Sequence, residues 1–253
     1  MHILVTNDDG YMSEGIALLR SVAAEFGTVT VVAPDRQQSA TSHALTLGRP
    51  LRAMDVAPGI FAVDGTPTDC VNLALNGLLP VRPELVLSGV NHGGNLGDDI
   101  TYSGTVSAAM EGCLLGVPSV ALSYDDFRPS PADWEALRPA LQRMIAYVCN
   151  HRPGAGRLYN VNFPRVSVGP RGCRITVQGK RVYGDAIVAN TDPRGYPYYW
   201  IGGNVLQSDT RPGTDLAALA EGYVSLTPVH LDLTDHGHVS ELNQRFPVEL
   251  AQW

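Results

Sequence analysis

The stretch HILVTNDDGYMSEGIALLRSVAAEFGTVTVVA, residues 2–33, holds two short β-rich runs with one helical pattern between them. HILVT predicts a buried strand, and residues 14–26 carry apolar side chains at positions 16, 18, 19 and 22, as a helix with one buried face does. TVTVVA, residues 28–33, predicts a second strand. A strand, a helix and a strand in succession form the building unit of a parallel sheet, so this stretch predicts an α/β fold.

The same alternation continues to about residue 150. Helices are predicted at residues 67–79, 105–115 and 131–149, and buried strands at 84–88, 118–122 and 157–164. Short, continuously apolar strands are typical of parallel sheets with both faces covered. The sequence therefore predicts a mostly parallel sheet with helices on both faces.

The pattern changes in the last third of the chain. Residues 173–188 predict two strands joined near positions 178 and 179, the aromatic run YPYYW follows at 196–200, and residues 214–229 predict a helix and a returning strand. We expect a catalytic core over residues 1–165. Residues 166–253 are expected to form a smaller, hairpin-rich C-terminal appendage that serves oligomerisation and returns to the core.

Composition narrows the range of partners and compartments. The net charge is −7 over 253 residues and no basic run is present, which argues against binding a nucleic-acid polymer. No apolar stretch has membrane-spanning length, and the N-terminal run is too short for a signal peptide. The four cysteines lack zinc-ligand or redox spacing, so we interpret them as reduced thiols and expect a cytoplasmic protein.

Two adjacent carboxylates, Asp8 and Asp9, follow the first predicted strand. A turn that caps the next helix is one interpretation, because Asp and Gly are common in turns. Such a turn needs only one Asp, however, and the second adds like-charge repulsion. A divalent cation would reverse the sign of that interaction, and oxygen ligands suit Mg²⁺ or Mn²⁺. The metal interpretation is favoured.

A glycine-rich segment, GVNHGGNLGDDITYSGT at residues 89–105, follows the strand at 84–88. Its glycines suit a backbone that approaches a ligand closely. The segment ends in Ser103, Gly104 and Thr105, which open the next predicted helix, and the free N–H groups of a helix start can bind phosphate. Simple helix capping by Ser103 or Thr105 is the alternative. Because ligands bind at the carboxyl edge of parallel strands, phosphate binding is favoured.

Several other polar residues receive structural interpretations. Residues 66–69 fit a capping box with proline at the first helical position. His236 and His238 are interpreted as surface residues of a turn. The acidic pairs at 98–99 and 125–126 are interpreted as solvated loop charges.

Long motifs in a fixed order resemble the SurE family of survival-protein nucleotidases. They are VTNDDG at 5–10, VVAPDRQQSATSHALT at 31–46, VLSGVNHGGNLGDDITYSGTVSAAMEG at 86–112, NVNFP at 160–164 and GTDLAALAEGYVSLTP at 213–228. The resemblance runs over nearly the whole chain. It implies a Rossmann-like core and a metal-dependent phosphoric monoester hydrolase (a 5′-nucleotidase) acting on nucleoside monophosphates. It also implies a homodimer or homotetramer formed through the C-terminal region.

The resemblance also assigns roles to single residues. Asp8, Asp9, Ser39 and Asn91 would hold one divalent metal per subunit, Mg²⁺ or Mn²⁺. Asn95, Ser103, Gly104 and Thr105 would bind the phosphate. Asp8 or Asp9 would act in catalysis, as proton acceptor or nucleophile, with attack by water as the favoured alternative. The choice between 5′- and 3′-nucleotides stays open, as does activity on short polyphosphate.

Three other classes of protein fit the sequence less well. A signalling receiver domain needs an Asp after its third strand and a Lys after its fifth, but Lys180 is the only lysine and lies far downstream. A haloacid-dehalogenase-type phosphatase needs Asp-x-Asp after the first strand, where this chain has Asp9-Gly10-Tyr11. A dinucleotide-binding oxidoreductase needs a glycine-rich first turn that is lacking here.

Overall fold

Strands and helices alternate along most of the chain, and strands dominate the C-terminal part. The computed structural model describes residues 1–184, 187–202 and 205–246. Its strands are β1 His2–Thr6, β2 Thr28–Pro34, β3 Ala53–Ala57, β4 Ile60–Val63, β5 Leu85–His92, β6 Ser119–Tyr124, β7 Arg157–Phe163, β8 Cys173–Ile175, β9 Arg181–Tyr183, β10 Ile187–Thr191, β11 Pro197–Ile201, β12 Val205–Ser208 and β13 Val224–His230. Its α-helices are α1 Glu14–Ala23, α2 Pro67–Leu73, α3 Gly104–Leu114, α4 Pro131–Asn150, α5 Asp215–Ala220 and α6 His236–Arg245.

A single nine-stranded sheet organises the described core, in the order β3-β4-β2-β1-β5-β6-β7-β13-β8. The strands from β4 to β7 in this order are parallel to their neighbours. β3 pairs antiparallel at one edge, and β13 pairs antiparallel with β7 before β8 closes the other edge. The carboxyl ends of β1, β2, β5, β6 and β7 therefore lie along one edge of the sheet.

Helices cover both faces of this sheet, which confirms the predicted α/β class. Alternate residues of β1 point to opposite faces: Ile3 and Val5 pack in the cluster that contains α1 and α4 residues, and Leu4 packs in the cluster beneath α2 and α3. All three side chains are fully buried, and each burial contributes about 1.5–3 kcal/mol. None of the helices in the described part of the chain has the length and apolar character needed to cross a membrane.

The predicted elements are found with similar boundaries, and one difference is informative. Strands β3 and β4 and helix α6 were not predicted, and His236 and His238, which we interpreted as residues of a turn, lie on the surface of α6. The capping box at the start of α2 is present, with the Thr66 side chain accepting from Asp69 N and the Asp69 side chain accepting from Thr66 N. Strand β5, predicted to end at Ser88, continues to His92 because β6 offers pairing partners there. Asn91 and His92 therefore lie on a strand end and not on a free loop, which fixes their positions more firmly.

The two strands predicted within residues 173–188 are present as β8 and β9, but they do not pair with each other as a hairpin. β8 pairs in parallel with β13 at the edge of the main sheet, whereas β9 pairs with β12 in a separate two-stranded sheet. A sequence-local hairpin is the usual expectation for consecutive strands. Here β13 pairs with β7 on one side, and its other edge offers unpaired backbone groups to β8, so this tertiary pairing prevails over local order.

The outer appendage consists of the β9–β12 pair and an arm formed by β10 and β11. The two ends of this segment meet, because Val177 N donates to Gly213 O at 3.0 Å and Asp215 N donates to Val177 O at 2.9 Å. The aromatic run predicted at 196–200 lies on the arm, and Trp200 is 67% exposed. The division of the chain at residue 165 stays a prediction.

Asp215 joins the appendage to the core. Its side chain is fully buried and accepts three backbone N–H groups, from Gly97, Gly179 and Leu216, each at 2.8 Å. Gly97 begins the turn that leads into the segment 97–105, and a Cβ at Gly97 would lie 2.7 Å from Gly179 O. One carboxylate therefore fixes the close packing of three segments that are distant in sequence.

Candidate active site

Asp8 and Asp9 stand at the carboxyl end of β1, at the edge of the sheet where polar loops converge. Asp8 is 4% exposed and the Asp9 side chain is 8% exposed. Two adjacent carboxylates are costly to bury, since each resists the ionisation of the other. The fold accepts this cost at the end of β1, an inner strand of the sheet, which marks the pair as the candidate site.

The Asp8 carboxylate lies against the N-terminus of α3. The Thr105 hydroxyl donates to Asp8 Oδ1, and Thr105 is fully buried. A Cβ on Gly104 would come within 2.8 Å of Asp8 Cβ, so glycine allows this approach. Burial raises the pKa of Asp8 to about 6, with hydrogen bonding from Thr105 opposing the shift and the charge of Asp9 adding to it.

Asp9 is held by His92 at the end of β5. His92 Nδ1 lies 2.9 Å from Asp9 Oδ2, and the His92 backbone N–H donates to the same oxygen at 3.3 Å. His92 Nε2 lies 3.7 Å from Glu14 Oε2. The hydrogen bond with Asp9 raises the pKa of His92. His92 therefore orients the Asp9 carboxylate, a role that the sequence analysis missed.

Ser39 lies on the segment that follows β2, and this segment is tied to Asp8. Gln38 N donates to Asp8 O at 2.7 Å, which brings the residue before Ser39 onto the Asp pair. Ser39 is exposed, and its Oγ accepts from Gln37 Nε2 at 3.0 Å. The neighbouring residues Ala40 and Ser42 adopt positive φ angles of 57° and 54°. Such conformations in residues other than glycine persist only where the surroundings enforce them.

Two buried carboxylates, from Asp69 and Glu111, hold the segment that follows β2 and carries Ser39. Asp69 accepts from Thr46 N at 2.9 Å and from the Thr46 hydroxyl at 2.6 Å. Glu111 of α3 pairs with His43 Nε2 at 2.9 Å and accepts from Asn72 Nδ2 at 2.7 Å. The contact with His43 lowers the pKa of Glu111. Ser39 is thus carried on a segment without regular structure that side chains of α2 and α3 hold in place.

Asn91 presents its amide at the end of β5. Its Nδ2 donates to Gly93 O at 2.8 Å, so its Oδ1 is left as the acceptor of the amide. Asn91 lies one residue before His92, which contacts Asp9. The structure therefore brings Asp8, Asp9 and the neighbours of Ser39 and Asn91 into direct hydrogen-bond contact.

Asn95 is supported by a layer of buried polar residues. Asn95 N donates to Asn162 Oδ1, its Nδ2 donates to Ser123 Oγ, and its carbonyl accepts from Asn160 Nδ2, all at 2.8 Å. Asn160 and Asn162 are alternate residues of β7 and point to the same face. Two asparagines at i and i+2 in the otherwise apolar motif NVNFP were the sequence signal for this support.

Ser103 and Thr105 frame the first turn of α3. The Ser103 Oγ accepts from Val106 N at 3.1 Å, so this residue is the N-cap that the sequence allowed as an alternative. Its hydroxyl proton is still available as a donor. The Thr105 hydroxyl is directed at Asp8 and not at open space. Phosphate contacts by Ser103, Gly104 and Thr105 stay predictions.

Two acidic residues that we interpreted as solvated loop charges are partly buried. The Asp99 side chain is 22% exposed and accepts from Arg181 Nη1 at 2.7 Å and from the Tyr183 hydroxyl at 2.7 Å. Asp125 is half-buried, and burial raises its pKa. The partners of Asp99 lie more than 80 positions away in the sequence, and Asp125 is covered by packing formed on folding, so the local sequence held no signal for either.

The donor set at the sheet edge consists of carboxylate, hydroxyl and amide oxygens. Within residues 1–184, 187–202 and 205–246, no three His, Cys, Asp or Glu side chains converge as a metal-binding group. Any cation here would therefore depend on Asp8 and Asp9 together with neutral oxygens, a set typical of Mg²⁺ or Mn²⁺.

Comparison with known proteins gives a consistent family likeness. Residues 3–185 match the family model described as survival protein SurE. A curated protein of Syntrophotalea carbinolica named 5′-nucleotidase SurE is 50% identical over 235 residues, 93% of each chain, and one of Geobacter metallireducens with the same name is 50% identical over 244 residues, 96% of each chain. The crystal structure of the SurE protein from Aquifex aeolicus is similar with a TM-score of 0.85 and 41% identity, covering 98% of this chain and 100% of that one.

Proposed function

The chain belongs to the SurE family and is a phosphoric monoester hydrolase, and we propose that it hydrolyses nucleoside monophosphates with the help of one divalent cation per subunit, Mg²⁺ or Mn²⁺. The products are a nucleoside and inorganic phosphate. We extend the proposal to 3′- as well as 5′-nucleotides and to short polyphosphate. The observation that carries the proposal is the pair Asp8 and Asp9, almost fully buried together at the end of β1.

The residues present fit a divalent cation. Burial and the charge of Asp9 both disfavour ionisation of Asp8, and a cation would relieve both effects. The Asn91 side chain is held through its Nδ2, which leaves Oδ1 as an acceptor that could serve as a ligand. Asp8, Asp9, Ser39 and Asn91 would hold the ion, which when bound supplies positive charge that neutralises phosphoryl oxygens and orients a water molecule.

The remaining residues of the site bind and orient the phosphate. The N–H groups at the start of α3 and the Ser103 hydroxyl supply donors for its oxygens. The Asn95 amide, whose Nδ2 donates to Ser123 Oγ, adds a donor from the segment that follows β5. Asp8 or Asp9 accepts the proton of the attacking water, and His92 keeps Asp9 in position during this transfer.

The function is tested by a substrate panel with each metal. We expect phosphate release from 5′-nucleoside monophosphates with Mg²⁺ or Mn²⁺, complete loss with excess EDTA, and recovery when the metal is restored. Phosphate release from 3′-nucleotides and from tripolyphosphate, measured in parallel, tests whether these compounds are also substrates. Unchanged phosphate release after removal of all divalent metal would contradict the proposed cation.

Replacing Thr105 tests how Asp8 is positioned. Thr105→Val keeps the shape of the side chain but removes the hydroxyl that donates to Asp8 Oδ1. We expect Mn²⁺ affinity and kcat to fall by about 10- to 100-fold, as is typical when a metal ligand loses its hydrogen-bond partner. Thr105→Ser retains the hydroxyl and is the matched control. Calorimetric titration with Mn²⁺ measures the affinity independently of turnover, and equal affinities in the two variants would refute this role.

Location and assembly complete the proposal. We place the protein in the cytoplasm, which agrees with the free thiols of Cys70, Cys113, Cys149 and Cys173. We propose a homodimer or homotetramer, because the arm exposes large apolar side chains such as Trp200 and Ile201 that a second subunit would cover. The acidic net charge supports the absence of a nucleic-acid polymer among its partners.

A further inference from the structure

A cavity of about 260 Å³ lies beside the candidate active site, between the ends of β6 and β7 and the appendage. Leu96 lines this cavity and directly follows Asn95, the residue that we assign to phosphate binding. Asp125 lines it too, and its Oδ1 would lie 3.0 Å from a Cβ on Gly94. The cavity therefore begins within one residue of the phosphate position, close enough to receive another part of the same substrate.

The polar wall of the cavity offers both an acceptor and donors. Within the described residues the half-buried carboxylate of Asp125 accepts no hydrogen bond, although its backbone carbonyl accepts from Arg165 Nε at 2.8 Å. Arg181 Nη1 is used by Asp99, whereas Arg181 Nε is buried and has no partner in the part of the chain that the structure describes. A ligand that carries both donors and acceptors would match the Asp125 carboxylate and the guanidinium of Arg181, both of which line the cavity.

The opposite wall is apolar. Leu96, Leu216 and Leu219 form one buried cluster, and each is at most 7% exposed. Charges around the cavity are balanced, since Arg165 and Arg181 lie near Asp125 and Asp99. Balanced charge and an apolar wall favour a flat, neutral, heteroaromatic group over a second phosphate. The volume is slightly below the ~300 Å³ at which pockets for drug-sized ligands begin, and suits a single nucleoside.

We propose that this cavity binds the nucleoside part of the substrate, an inference that rests on the proposed nucleotidase function. Asp125 accepts from the ring or exocyclic N–H groups of the base, and the guanidinium of Arg181, which lines the cavity, donates to a carbonyl oxygen or ring nitrogen beside them. The base packs against Leu96 and Leu216. The appendage thereby supplies the selectivity for nucleotides, and the sheet edge supplies the hydrolysis.

The test compares a nucleotide with a phosphate ester that lacks a nucleoside. For Asp125→Ala we expect the ratio of kcat/KM for GMP to that for p-nitrophenyl phosphate to fall by about 10- to 100-fold, mainly through KM, as loss of a charged hydrogen-bond partner does. Asp126→Ala is the matched control, because its neighbouring carboxylate binds Arg128 N and does not line the cavity. That ratio is expected to stay unchanged in the control.

Calorimetry with free guanosine and adenosine gives a readout independent of hydrolysis. We expect at least one of these nucleosides to bind the unmodified protein, and its binding to weaken in Asp125→Ala. Equal losses on GMP and p-nitrophenyl phosphate, or nucleoside binding that Asp125→Ala leaves intact, would overturn the inference. If the protein hydrolysed no phosphate ester, the proposed function would be refuted. The calorimetric measurement of nucleoside binding would still test whether the cavity binds a nucleoside. Asp125→Asn, which keeps the side-chain size, replaces Asp125→Ala if the latter does not fold.

Discussion

Asp8→Asn is expected to lower kcat for nucleoside monophosphates by about 10³-fold or more, because it removes a charged ligand of the proposed cation and little packing. The amide keeps the size of the side chain, which is almost fully buried beside Thr105 and Gly104. In metal-free buffer the variant should unfold at a temperature at least as high as that of the unmodified protein, since a buried carboxylate next to Asp9 has been neutralised.

Asp98→Asn provides the matched control, because Asp98 is an exposed carboxylate on the same side of the sheet. It should retain full turnover and full stabilisation by Mn²⁺. For Asp8→Asn, added Mn²⁺ should raise the unfolding temperature far less than in the unmodified protein. Near-native turnover in Asp8→Asn would place the chemistry elsewhere and refute the site.

Asp215→Ala is expected to destabilise the fold by about 3–5 kcal/mol, because three buried N–H groups would lose their acceptor at a cost of about 1–3 kcal/mol each. For a chain of this size that corresponds to a fall of about 10 °C in Tm. Asp215→Asn keeps one acceptor oxygen, so its free energy of unfolding should lie between those of Asp215→Ala and the unmodified protein. Urea denaturation of all three proteins measures the order.

Asp55→Ala is the corresponding control on the surface. Asp55 is exposed on the edge strand β3, so its loss should change the free energy of unfolding by less than about 0.5 kcal/mol. A similar small effect at position 215 would show that the N–H groups of Gly97, Gly179 and Leu216 find other partners. The carboxylate would then not be the link between core and appendage.

The core was predictable from sequence because its signals are local. The apolar run before Asp8 and the capping box at Thr66 each specify their own element, and both are found where predicted. The strands β8 and β9 do not pair with each other because each pairs with a strand far along the chain: Tyr183 lies opposite Val205, and Cys173 lies opposite Val224. A strand at the edge of a sheet pairs with whichever strand the rest of the fold brings beside it. The sequence of the edge strand alone does not show which strand that is.

The candidate site was predictable in outline and not in its supports. Asp8 and Asp9 can be recognised in the sequence because two adjacent carboxylates at a strand end repel each other unless a cation binds between them. His92, Asp125 and Asp99 looked like ordinary polar residues of loops, since their importance comes from contacts formed only after folding. A residue that binds a ligand directly must have a particular side-chain chemistry, which can be read from the sequence. A residue that orients such a ligand-binding side chain matters through its position in the fold, which the sequence shows poorly.

The meeting of the two ends of the appendage at Val177 and Gly213 has a consequence for how such chains diverge. Because the chain leaves and re-enters the sheet at one hydrogen-bonded point, the length of the arm can change with little effect on the loop-closure entropy or on the register of β8 and β13. Insertions, deletions and exchange of the arm are therefore the route of least structural disturbance by which a lineage could alter subunit arrangement while the hydrolytic edge stays the same.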